Sequence, residues 1–295
     1  MSNLLKLRMS LAWMLAFTVT SLPVLGQEEE KAEKEGYQFT ITKELKYTPV
    51  KDQYRSGTCW SFSGISFIES ELLRLGKGEY DLSDMWPVRH AYSAKAEKYI
   101  RMNGTINFSG GGAFHDVFNT MRDHGIVPEE AYDGIVINQE KHVHGEMDNV
   151  FKAYVDAVRA NKNRKLSTAW KAGFEGLLDA YLGEVPKEFT VNGKKYTPGS
   201  FMASLGLDLK DYVFITSFTH HPFYEEFILE VPDNWAWGAM HNLPLDEMMQ
   251  VIDHALENGY TVAWASDVSE KGFSHKKGVA IIPEENREDM SDAEI

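Results

Sequence analysis

Apolar residues fall three and four apart over much of the first half of the chain. Ile65, Ile68, Leu72 and Leu75 keep this spacing, so a helix is expected to begin at Cys59 and stop at Gly76. Ser83 is a good N-cap for a second helix, running to about Arg101 and ending before Asn103-Gly104. A third is expected from Ala113 to His124, with Phe114, Val117, Phe118 and Met121 as its apolar face and Gly125 as its end. Residues 141–182 read as helical but more polar, with Val150, Tyr154, Val158, Trp170, Phe174 and Leu178 as the apolar positions.

The pattern then changes. Asn192-Gly193 is a hairpin turn signal between Phe189-Thr190-Val191 and Lys194 to Thr197. Tyr212 to Phe218 and Phe227 to Val231 read as strands, Leu245 to Leu256 as an amphipathic helix closed by Asn258-Gly259, and Tyr260 to Ala265 and Gly278 to Ile282 as further strands. Earlier, Tyr37 to Val50 alternates like extended chain. No internal repeat is present. Helices first and mixed elements later point to an α+β class.

The chain has 295 residues, 43% of them hydrophobic, enough for a large core or for two subdomains around a cleft. Its formal net charge of −14 argues against a nucleic-acid partner. Lys6 and Arg8 precede an apolar run from Leu11 to Val19, and Val24-Leu25-Gly26 offers small residues after Pro23. Residues 1–26 therefore read as a signal peptide, implying export to the periplasm or beyond and no stable membrane span after cleavage; the alternative is an uncleaved anchor. Gln27 to Gly36 is charged and apolar-poor, the composition of a disordered leader. The one cysteine rules out an internal disulfide, so Cys59 is either buried and inert or kept for reactivity.

The surrounding residues favour reactivity. Thr48 to Gly64 reads TPVKDQYRSGTCWSFSG. A nucleophilic thiol must be exposed, rigidly held and ionised at working pH, and the amides and dipole of a helix N-terminus favour negative charge there. Attack on a carbonyl needs donors for the developing oxyanion. The Cys59 N–H is one candidate. The side-chain amide of Gln53, six residues upstream on the loop that leads into the helix, is a second.

This run resembles the papain-like cysteine peptidases, whose pattern is a Gln, five residues, then Cys-Trp, with Gly two before the Cys and an aromatic two after the Trp. Here these are Gln53, Gly57, Cys59, Trp60 and Phe62. Ser109-Gly110-Gly111-Gly112, followed by a helix ending in Gly125-Ile126, is similar to the family's second block. There Gly111 and Gly112, with Trp60 nearby, would meet an extended substrate backbone that no Cβ obstructs. Taken alone, the glycines are also compatible with a plain turn. Secreted papains carry two cysteines where this chain has Ser56 and Ser109. The paired loss resembles the disulfide-free bleomycin hydrolase/aminopeptidase C branch, as do Leu82-Ser83, Gly125-Ile126-Val127-Pro128 and Asn242-Leu243-Pro244-Leu245.

The resemblance implies a papain-like fold over residues 37–295, a helical subdomain facing an incomplete β-rich one, with a helical insertion at about residues 135–210. It also implies hydrolysis of peptide substrates without a cofactor, and it allows a homo-oligomer. A base and its orienting group are required as well. None of the ten histidines has the family's context, and no Asn-Ser-Trp run exists. His275 reads as a surface residue ahead of the expected base, so the base and its Asn are expected beyond Ile295, after the acidic stretch Glu284 to Ile295. His220-His221 and the pair His142/His144 lack a third spaced ligand, so no metal is expected. The rival expectation is a catalytically incomplete papain-fold binding module.

Overall fold

The computed structural model describes residues 39–136, 140–163, 165–269 and 272–280. The proposed signal peptide, the leader and the acidic stretch from Glu284 lie outside the described residues. The chain divides after Thr42, and every helix and strand among the described residues belongs to the unit from Lys43 onward.

The expected helices form. Helix α1 spans Cys59–Arg74, α2 Met85–Arg101 and α3 Phe114–His124. Ser83 does cap α2, but from one residue further back: its Oγ accepts the Trp86 N–H at 3.0 Å and donates to the Tyr132 carbonyl. The polar stretch after Lys141 is two helices, α4 (Gly145–Arg159) and α5 (Ala169–Leu182). Their inward faces are Met147, Phe151 and Val155 on one, and Phe174, Leu178 and Leu182 on the other. These side chains close on Ile65, Ile68 and Leu72 of α1, Trp86, Tyr92 and Tyr99 of α2, and Val117 and Met121 of α3, all in one apolar core. Burying a large side chain of this kind contributes about 1.5–3 kcal/mol, so the helical half carries most of the hydrophobic stabilisation.

The β elements are short. Strands β1 (Phe189–Val191) and β2 (Lys194–Tyr196) form the expected hairpin, with Asn192 and Gly193 at φ 50° and 78°, the left-handed pair its tight turn requires. An unforeseen helix, α6 (Pro198–Leu205), comes next; Thr197 caps it by accepting the Ser200 N–H. Strands β3 (Ile215–Thr216) and β4 (Glu226–Ile228) then flank β5 (Ala239–Asn242), parallel and antiparallel to it respectively. β5, the centre of this sheet, was not legible in the sequence. Helix α7 spans Leu245–Glu257, and β6 (Phe273–Ser274) pairs with β7 (Val279–Ala280). Of the expected strand Gly278 to Ile282, residues 281 and 282 lie outside the described residues.

One expectation is corrected: Tyr260 to Ala265 is not a buried strand. Trp264 is 61% exposed and Tyr260 45%, because no neighbouring strand pairs with the segment among the described residues.

Candidate active site

Thr48 to Arg55 is irregular chain pinned by charge. Lys51 sends its ammonium to Asp81 (2.7 Å), Asp84 (3.1 Å), Glu69 (3.3 Å) and the Leu82 carbonyl (2.8 Å). Glu69, fully buried on α1, also accepts from the Leu82 N–H at 2.7 Å and from the Thr48 hydroxyl. Burial pulls the Lys51 ammonium down, but Asp84, Asp81 and Glu69 together outweigh it and hold the amine charged. The segment before the nucleophile is thereby tied to α1 and to the start of α2.

The next turn brings Tyr54 and Gly57 to positive φ, 48° and 63°. Arg55 pairs with a short extended piece from His142 to His144: its N–H donates to the His142 carbonyl (3.0 Å), and its carbonyl accepts the His144 N–H (3.1 Å). Lys141 bonds Asp52 at 2.9 Å. Phe62, one turn into α1, packs edge-on against His142. His142 and His144 are buried behind the loop. Burial, then the charge of His142, holds His144 down to about 4, against a Ser56 backbone hydrogen bond that raises it.

Cys59 is the first residue of α1, and its thiol is exposed and free. Thr58 sits at the N-cap but does not cap with its side chain, because its hydroxyl bonds Ser56. Among the described residues, no acceptor meets the Cys59 N–H. Gln53 is half-buried and lines a cleft of about 470 Å³ with Tyr47, Phe62, Ser66, Val262 and Trp264, which Cys59 does not line. No hydrogen bond joins Gln53 to Cys59 among the described residues.

The glycine block packs directly against this loop. The Trp60 indole donates to the Gly110 carbonyl at 2.9 Å. Gly110 itself lies against the backbone carbonyls of Ser56 and Gly57, so the two segments meet without a disulfide. A Cβ on Gly112 would fall 2.7 Å from the Trp60 ring, and one on Gly111 would fall 2.2 Å from an Asp233 carboxylate oxygen. The missing side chains thus make room for the protein's own atoms. Trp60, expected to contact substrate, is 5% exposed, and its indole hydrogen bond holds the glycine loop.

Lys95 also holds that loop, and sequence reasoning missed it. Its buried ammonium donates to the carbonyls of Ser109 (2.7 Å) and Gly111 (2.5 Å). Burial lowers it to about 8, against Asp116, Asp233 and Asp148, which raise it. A lysine inside the apolar stripe of Ala91, Tyr92, Ala96 and Tyr99 was the available signal. Asp233 is exposed and accepts from the Asn107 amide at 3.1 Å. The loop that carries Asp233 is anchored by Asn234, which bonds the Leu229 and Gly238 carbonyls and the Gly238 N–H, and by Trp235, whose indole donates to buried Asp116.

No histidine hydrogen-bonds Cys59 among the described residues. His275 is exposed, matching its expected surface position. The expectation that His220 and His221 lack a third partner does not hold: both rings reach Glu230, at 3.2 and 2.8 Å.

No curated protein matches the chain. Among solved structures, the chain is similar to PepW from Lactobacillus rhamnosis HN001, with a TM-score of 0.60 at 18% identity, over 75% of this chain. The matched portion spans 59% of the length of PepW. Residues 38–176 match the model of the papain family cysteine proteases, so the chain has the papain-like α+β fold, with that family's domain matched from before the nucleophile loop into α5.

Proposed function

We propose that this chain is a cysteine-type peptidase domain that cleaves peptide amide bonds through Cys59. The observation that carries the reading is an exposed, free thiol on the first residue of a helix, whose N–H meets no acceptor among the described residues and whose neighbour Trp60 bonds the glycine loop. In this reading the thiolate attacks the carbonyl, and the Cys59 N–H with the Gln53 amide receives the oxyanion. A histidine then protonates the leaving amine, and water releases the acyl group. The Gly111 and Gly112 backbone lies along the substrate. Incubation with aminoacyl and peptidyl fluorogenic amides, with Cys59→Ser as the control, tests the activity. Turnover unchanged in Cys59→Ser sinks the proposal.

The finer reading is aminopeptidase-like, of the aminopeptidase C/bleomycin hydrolase type, on an exported protein. Ser56 and Ser109, where secreted papains have cysteines, support it. So does the exposed Asp233 carboxylate against Gly111, an acceptor suited to the ammonium group of a free N-terminus. Asp233→Asn is expected to reduce cleavage of free-amine peptides more than that of their N-acetylated forms. An equal effect on both removes this support.

A papain-fold binding module is the second reading, favoured by the absence of a Cys59–histidine hydrogen bond among the described residues. Stoichiometric alkylation of Cys59 without turnover of any amide would select it.

A further inference from the structure

We propose that His220, His221 and Glu230 form a binding site for a divalent transition-metal ion. Neighbouring residues in extended chain send their side chains to opposite faces. Here a turn at Thr219 and His220 brings both rings to one side, their centroids 4.4 Å apart. Each Nε2 then meets a different oxygen of the Glu230 carboxylate, at 3.2 Å from His220 and 2.8 Å from His221. One ligand atom from each residue lies within 4.8 Å of the others, and no other histidine, cysteine and carboxylate group among the described residues does this. Two ligands held about 2.0–2.2 Å from a tetrahedral ion are about 3.3 Å apart, so small side-chain shifts would admit the ion between them.

The scaffold under these groups is rigid. Asn242 is fully buried on β5, and its amide donates to the carbonyls of Phe218, His221 and Pro222 and accepts the Phe218 N–H. Both sides of the histidine turn are therefore fixed to the sheet. Glu230 is the second residue after β4, and the preceding Leu229 carbonyl is held by Asn234 at 2.9 Å. The His221 ring stacks on Phe227 at 4.0 Å, and His220 packs edge-on against Phe218 at 5.4 Å. The two imidazole rings are thus partly ordered by packing before any ion binds.

The donor set selects the ion. Two imidazoles and one carboxylate suit Zn²⁺, Co²⁺, Ni²⁺ or Cu²⁺, whereas Ca²⁺ and Mg²⁺ require mainly oxygen ligands. Three protein ligands leave a fourth position for water or another donor. A bound ion would clasp the β3–β4 connection to the end of β4. Next to it, His241 and Glu226 pair across β4 and β5 at 3.1 Å without a third group, which makes them an internal control.

The test is titration of the untagged 295-residue chain with Co²⁺, after alkylation of Cys59 so that the thiol supplies no ligand. Absorption in the visible range reports coordination, and Zn²⁺ serves as competitor. One equivalent of Co²⁺ is expected, displaced by Zn²⁺, with affinity weakened at least about tenfold in His220→Ala, His221→Ala and Glu230→Gln but unchanged in His241→Ala. Zn²⁺ should also raise the thermal midpoint of the parent chain and not that of Glu230→Gln, an exposed isosteric change that leaves the fold intact. Absence of saturable uptake overturns the proposal. So does uptake that survives Glu230→Gln and His220→Ala unchanged, which marks adventitious surface binding.

Discussion

Replacing Lys51 by Met keeps the aliphatic stem and removes the ammonium. Three carboxylates and a carbonyl lose their shared donor, but unequally. Asp81 is 70% exposed and rehydrates, at a cost of about 0–1 kcal/mol. Glu69 keeps the Leu82 N–H and the Thr48 hydroxyl. Asp84 is 3% exposed, and Lys51 is the only hydrogen-bonding partner of its carboxylate among the described residues. The loss therefore concentrates on one buried carboxylate, the situation that costs about 3–5 kcal/mol when a buried pair is broken. Taking the low end, because Lys51 itself is 27% exposed, about 3 kcal/mol lowers the midpoint of a domain this size by about 6–12 °C. The pH dependence gives a second signature. Burial raises the Asp84 carboxyl, and Lys51 opposes it. With Lys51 in place the carboxyl already stands at about 8, so the folded parent too holds a proton that the unfolded chain releases; in the variant burial acts unopposed and carries the carboxyl higher still. Parent and variant both lose stability as pH rises from the ordinary carboxyl range; the parent's loss levels off above about 8 while the variant's continues, so the variant's deficit is larger at pH 9 than at pH 5. Adding Asp84→Asn should recover much of the loss. Thermal melts at both pH values decide the matter: a shift under about 2 °C, or a deficit larger at pH 5, refutes the reasoning.

Other changes test the remaining parts of the site. Cys59 should take one equivalent of iodoacetamide in the folded protein, since it is exposed and is the sole cysteine; labelling only after denaturation, by mass spectrometry, refutes this. Where turnover is measured, Gln53→Ala should lower it about 100- to 1,000-fold with an unchanged melting midpoint, and near-normal turnover removes its oxyanion role. Glu129, raised to about 7 chiefly by burial, is charged at a stability cost that grows as pH rises from about 4.5 through 7. Glu129→Gln, which keeps an acceptor for the Asp84 N–H, should therefore stabilise the protein at pH 8 and leave it nearly unchanged at pH 4.5; equal shifts at both pH values refute that.

What was legible in the sequence was local, and what was not was joined only by folding. Helix α1 announced itself because its apolar spacing, its glycine stop and its cysteine lie on one continuous string, and the nucleophile loop was read from the same string. The hairpin at Asn192-Gly193 was equally local. Tyr260 to Ala265 misled because alternation describes a strand only when a neighbour supplies the hydrogen bonds, and none does among the described residues. β5 was missed for the converse reason. Ala-Met-His-Asn has no strand composition, yet its buried Asn242 satisfies the backbone of an adjoining turn that no local partner would.

The same division runs through the chemistry. Cys59, Gln53 and the glycines occupy readable positions, while the groups that hold them come from distant parts of the chain. Lys51 meets Glu69 and Asp84, Lys95 rises from the apolar face of α2 to hold the glycine loop, and Asp233 arrives from more than 100 residues away to fill the space beside Gly111. For none of these polar residues do the sequence neighbours name the distant partner. A buried lysine is tolerated only because carbonyls and carboxylates converge on it, so its presence in an apolar stripe is itself evidence of such convergence. That rule turns Lys95 into a readable signal: a charge at a core position in a helix marks the place where another segment must lay its backbone, and here that segment is the glycine loop beside the nucleophile.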